Sequence, residues 1–363
     1  MIDLDHNAGT PLRPQARAAM LEALDAGGNA SSIHGRGRSA KRLLERARET
    51  LAEQLGVGPS NVVLTSGGTE ANALALHGRR TLASAVEHPA VLAQPGVLAD
   101  RLPVDHDGRV RVDVAADLIR QTGADTVAVM AANNETGVLQ PLAELRAVLP
   151  EGVALHVDAV QAPGRLEVPA LAALADTLAL SAHKLGGPPG AGALVLGRDR
   201  EVSPLLVGGG QERGRRGGTE NVPAVVGFAA ALQAIDPGEA DRLLALRRQL
   251  EQGVEQFDDA VIVARDAPRL CNTVAVAFPG RAAATLVMAL DLEGVAISSG
   301  AACSSGRVAR SHVLAAMGLA DDIVTSTVRI SLGWTSTAAD VATALDALRR
   351  VLGRRRAAPP AAA

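Results

Sequence analysis

Residues 178–197 read LALSAHKLGGPPGAGALVLG. An apolar run, Leu178–Leu180, leads into Ser181, His183 and Lys184, then a Gly/Pro loop, then a second apolar run, Ala193–Leu196. Short apolar runs bounded by Gly and Pro read as strands. The second run reads as a hairpin return, which predicts one antiparallel strand here. Lys184 therefore stands where a strand delivers a side chain to the edge of a sheet. The chain has only two lysines, Lys41 and Lys184; every other member of its 36 Lys+Arg residues is arginine. Guanidinium stays charged, so Arg cannot replace an amine that must lose its proton and attack a carbonyl. Lysine kept at this junction in so Arg-biased a chain invites a Schiff-base reading. A surface lysine in a loop is the alternative.

Outward from this stretch, Asn61–Gly78 reads strand (Val62–Leu64), glycine turn, helix. Further apolar runs at Val86, Leu102–Val104, Thr126–Met130 and Ala154–Val157 predict strands. Helical patterns fall at Pro14–Ala26, Ser39–Leu55 (ended by Gly56), Leu142–Leu149 and Val222–Ala234. Strands alternating with helices predict an α/β fold with a mostly parallel sheet covered on both faces. The IDPGEA segment marks a break near Asp236. Beyond it the order is α+β: a helix over Ala240–Phe257, strands at Val261–Ala264 and Thr273–Phe278, a helix over Ala282–Asp291 and a terminal helix from Thr337. A large domain over 15–236 is expected, with a smaller one built from 1–14 and 237–363.

The 363-residue chain is 47% hydrophobic but only 1% aromatic, so Ala, Leu and Val must fill the core. A net charge of -3 and a pI near 6.3 give no electrostatic case for nucleic acid. Two cysteines exclude a disulfide framework and a structural zinc site. No uncharged apolar run approaches about 20 residues and no signal-peptide pattern opens the chain. A soluble, cytoplasmic protein with reduced thiols is expected, and its Ala/Pro tail from Ala357 reads as disordered.

Several motifs carry candidate chemistry. In TSGGTEAN (Thr65–Asn72) the backbone N–H groups of Gly67, Gly68 and Thr69, with the Thr69 hydroxyl, suit a phosphate at a helix N-terminus; a plain tight turn is the alternative. In HVDAVQ (His156–Gln161), Asp158 ends an apolar strand, where ligands of open α/β sheets bind. Its carboxylate could hold a protonated ring nitrogen or simply cap the strand end. His156 lies two residues away on the same face, so a metal pair is conceivable, but the other histidines lack ligand spacing. His88 follows an apolar run and could stack on a ring, move protons or cap. Cys303, in the small-residue loop SSGAACSSG (Ser298–Gly306), reads as a reachable thiol, whereas Cys271 beside a strand reads as core. Arg329 within TVRISLG reads as a carboxylate binder, for a structural partner or a substrate.

Taken in order, these motifs resemble the cysteine desulfurases, pyridoxal-phosphate enzymes of the class V aminotransferase group. LDHNAGTPL (Leu4–Leu12), GNASSIHGRGR (Gly28–Arg38), TSGGTEAN, Glu87–His88, NNETG (Asn133–Gly137) and GGGQERGRRGGTEN complete the set. The resemblance implies fold type I of the pyridoxal-phosphate enzymes. It makes Lys184 the Schiff-base lysine, with Asp158 on the pyridine nitrogen, Gln161 on the phenolic oxygen and His88 stacked on the ring. Gly68, Thr69, Ser181 and His183 would hold the phosphate. Thr219 would reach the phosphate of a partner subunit, implying a homodimer with shared sites. Asn134 and Arg329 would hold the substrate carboxylate, with the choice between Asn133 and Asn134 open. Cys303 would take sulfur from L-cysteine as a persulfide and pass it to a protein acceptor, as in the family's long-loop SSGxxC group. The sulfur would serve iron–sulfur clusters, thio-cofactors or RNA thiolation. Departures from the family pattern are Gly9 in the opening motif and Cys271 before Asn272–Thr273. The rival expectations are a selenocysteine lyase or another class V enzyme, and a non-catalytic sulfur-carrier scaffold.

Overall fold

In the computed structural model the described residues are 1–197, 200–300 and 310–353. The strands, in chain order, are β1 (Ile2–Asp3), β2 (Val62–Thr65), β3 (Thr81–Ser84), β4 (Val97–Leu102), β5 (Thr126–Ala128), β6 (Ala154–Asp158) and β7 (Thr177–Ser181). β8 (Gly192–Leu196), β9 (Val261–Ile262), β10 (Thr273–Ala277), β11 (Val295–Ala296), β12 (Ser298–Ser299) and β13 (Thr327–Ser331) follow. β2 to β8 form a sheet in the order β2-β8-β7-β6-β5-β3-β4. All its strands run parallel except β8, which is antiparallel to both neighbours. That is the hairpin return anticipated after Lys184.

The sheet is buried on both faces because each strand alternates its apolar contacts. Val62 and Leu64 of β2, Leu155 and Val157 of β6, and Leu178 and Leu180 of β7 enter one core with the helices Pro14–Ala26, Gly35–Leu55 and Val222–Gln233. Val63, Ala179 and Leu194 point the other way, onto the helix Gly68–Leu76. Phe228 is the one aromatic in this core, so Leu, Val and Ala do the filling. A separate core gathers Leu4 with residues from Leu243 to Val351. It lies on the antiparallel sheet β12-β13-β10-β9 and the helices Glu239–Val254, Ala283–Leu292 and Ala338–Gly353. The parallel pair β1–β11 ties the N-terminus to this second unit.

Two expected strands shift. The one anticipated at Val86 forms upstream as β3, and Leu102–Val104 contributes only the last residue of β4. Both strands carry polar residues, and Thr81 and Ser84 are fully buried; a search for apolar runs overlooks a strand that buries polar side chains. The helices Val112–Thr122 and Val168–Leu174 were not anticipated. Gly35–Leu55 starts four residues before the expected Ser39, because the His34 ring accepts from the Gly37 N–H and caps it. Gly37 is required there, since a Cβ would stand 2.1 Å from the Ser32 carbonyl oxygen. No helix among the described residues is long and apolar enough to cross a membrane. Cys303, Arg354–Arg356 and the tail from Ala357 lie outside the described residues.

Candidate active site

The carboxyl ends of β2, β6 and β7 open on one cavity of about 480 Å³, in the crevice where open α/β sheets bind ligands. From β2, the chain turns through Gly67, at φ 154°, a conformation few residues other than glycine adopt, and enters the helix at Gly68. A Cβ on Gly68 would stand 2.7 Å from Val160 Cγ2 and 3.4 Å from Ser181 Cβ, so the helix start reaches this depth only as glycine. Gly68 and Thr69 line the cavity together with Ser181 and His183 from the end of β7. This corner presents a helix N-terminus and two hydroxyls, the chemistry that receives a phosphate. Burial, aided by the Lys184 ammonium, lowers His183 to about 4, so its ring is neutral at pH 7.

Lys184 sits one turn past β7, on the short helix Ala182–Lys184. Its Nζ donates to the carbonyls of Asn7 at 2.5 Å and Ala8 at 2.9 Å. Burial, then the positive charges of Arg329 and Arg165, lower the amine from 10.5 to about 8. The amine thus reaches its nucleophilic form near neutral pH, as covalent carbonyl chemistry requires. Opposite it, Asp158 Oδ1 accepts from the Val160 N–H at 3.0 Å and Oδ2 from Asn72 Nδ2 at 2.7 Å. Asp158 is thus both a strand-end cap and a cavity wall. Burial raises its pKa, opposed by those two donors and by His88 and Lys184. Gln161 Nε2 donates to the Asn7 carbonyl at 3.0 Å, and its Oε1 accepts from Arg165.

His88 also fills two roles. Its Nδ1 accepts from the Ala90 N–H at 3.1 Å, capping the helix Pro89–Leu92, while the ring lines the cavity. Burial lowers its pKa, so the ring is neutral with its proton on Nε2. The adjacent Glu87 is wholly buried. Its Oε1 accepts from Ser84 Oγ and the Met130 N–H, and its Oε2 has no partner. Desolvation raises it to about 8.

Arg329 enters from β13 of the second unit. Its guanidinium donates to the Asn134 carbonyl at 3.1 Å and to Asp5 Oδ1 at 2.5 Å, leaving Nε unpartnered. Asn134 lines the cavity, whereas Asn133 turns away and uses its Oδ1 to close the Glu135–Thr136 turn. Thr219 is exposed and stands off this cavity, and Cys303 lies outside the described residues. The cavity also gathers residues given no role from sequence: Asp5, Asn7 and Asn72, with Arg165 behind Gln161. The polar Asp5–Asn7 between apolar Leu4 and Ala8 was the available signal. His156 does not face the cavity as half of a metal pair. Its Nδ1 meets Thr177 Oγ1 and its Nε2 meets Asn72 Oδ1, both at 2.9 Å. Among the described residues no cluster of His, Cys, Asp and Glu could hold a metal ion.

Residues 2–343 match the model of the family "Aminotransferase class-V". The chain belongs to the cysteine desulfurases of this family. It is 41% identical to an IscS-like cysteine desulfurase of Mycobacterium tuberculosis, covering 100% of this chain and 99% of that protein. It is 39% identical to a cysteine desulfurase of Cereibacter sphaeroides, over 98% of this chain and 97% of the other. Among solved structures, a NifS-like protein from Rickettsia africae superposes with a TM-score of 0.90 at 31% identity, covering 97% of this chain and 99% of that one. This class V family is pyridoxal-phosphate dependent. The mixed seven-stranded sheet is that of fold type I.

Proposed function

We propose that this cysteine desulfurase works with pyridoxal 5'-phosphate seated in the cavity at Lys184 and passes sulfur through Cys303. The observation that carries the reading is the convergence, in one cavity, of an amine lowered to about 8, a buried carboxylate and a glycine-only helix start. The cavity fits that group: a Cβ at Gly68 would fill the cradle, and Gly68, Thr69, Ser181 and His183 match a phosphate. Asp158 suits a protonated ring nitrogen, Gln161 a phenolic oxygen and His88 a stacked ring. When bound, the cofactor supplies an electron sink for charge developing at the substrate Cα.

The remaining work falls to side chains. Arg329, with Asn134 beside it, holds the substrate carboxylate. Lys184 Nζ, lowered to about 8 and so half deprotonated at that pH, takes the proton from Cα. His88 has Nδ1 tied to the Ala90 N–H, which leaves Nε2 to hold or hand over a proton. In the net reaction the substrate Cβ–S bond breaks and an S–S bond forms to Cys303 Sγ. The Cys303 thiol proton ends on the alanine methyl, so L-cysteine and a thiol give L-alanine and a persulfide. Thr219, exposed on its Arg/Gly-rich loop, would complete the phosphate site of a second copy, and a protein thiol would receive the sulfur. A division into a large domain over 15–236 and a smaller one from 1–14 with 237–363 is part of this reading, supported by the separate clusters around the seven-stranded sheet and around Leu4.

Cys303→Ser tests the reading. Cysteine-driven sulfide release under a reductant should collapse while the yellow colour and borohydride labelling of Lys184 persist. Undiminished release sinks the Cys303 assignment. A colourless protein that takes up no pyridoxal phosphate sinks the cofactor reading.

A further inference from the structure

Residues two apart on a strand share a face of the sheet, and His156 and Asp158 of β6 turn theirs toward the helix Gly68–Leu76. Asn72 on that helix bridges them. Its Nδ2 donates to Asp158 Oδ2 at 2.7 Å, and its Oδ1 meets His156 Nε2 at 2.9 Å. The chain ends where His156 Nδ1 meets Thr177 Oγ1 at 2.9 Å. Asn72 and His156 are no more than 1% exposed, so bulk solvent does not reach the bond between them.

The first bond fixes the direction of the others. An ionised carboxylate only accepts, so Asn72 must aim its NH₂ at Asp158 and its Oδ1 at His156. His156 must then carry its proton on Nε2. Burial lowers this imidazole to about 4, so at pH 7 Nδ1 is bare and accepts from the Thr177 hydroxyl. An asparagine amide without such support has a second, nearly isosteric orientation with its oxygen toward the acid. That orientation favours a protonated Asp158, the direction in which burial already pushes it. The flipped amide would bring NH₂ against the N–H at His156 Nε2, so it forms only if His156 also moves its proton to Nδ1 and donates toward Thr177 instead.

We propose that His156, acting through Asn72, is a positioning residue that keeps Asp158 an anionic acceptor toward the ring nitrogen of the cofactor. The inference rests on the pyridoxal-phosphate reading above. The other titratable groups set against Asp158 are His88 and Lys184 across the cavity and Glu87 behind it. None of them touches the amide of Asn72, so none can set its orientation.

The test uses holoenzyme reconstituted with pyridoxal phosphate isotopically labelled at the ring nitrogen, whose magnetic resonance shift reports ring protonation directly. Wild type and His156→Gln should keep a protonated ring nitrogen at neutral pH, since a glutamine amide can both donate to Asn72 and accept from Thr177. His156→Leu and Asn72→Ala should lose that proton and bind the cofactor roughly 10- to 100-fold more weakly, the scale of a lost hydrogen bond to a charged group. Asp158→Asn is the reference for complete loss. A His156→Leu enzyme with wild-type ring protonation and affinity overturns the proposal and leaves the cofactor reading intact. If His156→Leu does not fold, Asn72→Ala decides in the same way. Failure of the wild type to take up pyridoxal phosphate overturns both.

Discussion

Replacing Lys184 with Met in the cofactor-free protein should change how stability depends on pH. The native amine titrates near 8 against an ordinary 10.5. Between these values the unfolded chain binds a proton that the folded chain does not, so stability rises with pH across that window. Below pH 8 both states are protonated and the full cost of the buried charge is present; above 10.5 it is gone. At ~1.4 kcal/mol per pKa unit the displacement corresponds to about 3.4 kcal/mol. Partial exposure of Lys184 and its two carbonyl acceptors reduce this to about 2 kcal/mol. Lys184→Met has no such group. Urea unfolding of both apoproteins at pH 7, 8, 9 and 10 should therefore show wild type gaining on the variant by about 2 kcal/mol between the ends of the series. The absolute gap at any one pH also contains the lost hydrogen bonds and is not the test. A gap that stays constant, or that moves in the variant's favour as pH rises, refutes the claim that Lys184 is held near neutrality by burial.

Glu87→Gln should show the opposite slope. Glu87 is raised from 4.5 to about 8, so wild-type stability falls as pH climbs through that window, and the variant should gain on it in a urea series run from about pH 5 to about pH 9. Arg48→Ala removes one partner of a buried pair in which Glu212 Oε1 lies 2.6 Å from the guanidinium; the stranded charge should cost about 3–5 kcal/mol in equilibrium unfolding. The paired change Arg48→Met with Glu212→Leu should cost clearly less. Gly68→Ala places a methyl 2.7 Å from Val160 Cγ2. It should destabilise by about 1–3 kcal/mol and weaken pyridoxal-phosphate binding, and adding Val160→Ala should restore much of both, read by melting and by cofactor titration.

The parts of the fold legible in sequence are those whose signal is local. β7 and β8 follow from apolar runs around a Gly/Pro loop, and β8 is antiparallel because that loop is too short for a crossover helix. β3 lies upstream of the expected run because TLAS buries a Thr and a Ser, the latter bonded to Glu87, and no apolar count registers that. In the site, Lys184 and Asp158 were marked by their places at or just past a strand end and Gly68 by opening a helix, whereas Ser181 and His183 came only from the family resemblance; all five line the cavity. Asn72 and Asp5 were not. Asn72 lies 86 residues from Asp158 and Asp5 lies 324 from Arg329. Their roles exist only once the chain has folded, and an asparagine inside the helical sequence TEANALAL carries no mark of its own. His156 shows the limit most clearly: a two-residue spacing indicated a shared face correctly and could not say what stood across it.

The N-terminal lead-in belongs to the site as fully as the strand ends do. The Asn7 carbonyl accepts from both Lys184 Nζ and Gln161 Nε2, and the Asn7 side chain binds the Asn134 carbonyl, Thr273 and Asn272. Two residues earlier, Asp5 pairs with Arg329, and the backbone of Leu4 to His6 is laced to Ser331. The same short segment therefore holds both the Lys184 amine, through the Asn7 and Ala8 carbonyls, and the Arg329 guanidinium, through the Asp5 side chain. A guanidinium carries five N–H groups in a fixed fork. Asn134 and Asp5 occupy only part of it, and Nε remains buried without a partner. On the proposed reading, Arg329 takes the substrate carboxylate from the cavity it lines while Asp5 stays bound. The pairing with Asp5 orients the fork and offsets its charge beside Lys184, whose pKa Arg329 lowers and Asp5 raises. Spacing between amine and arginine is consequently set by residues 4–8.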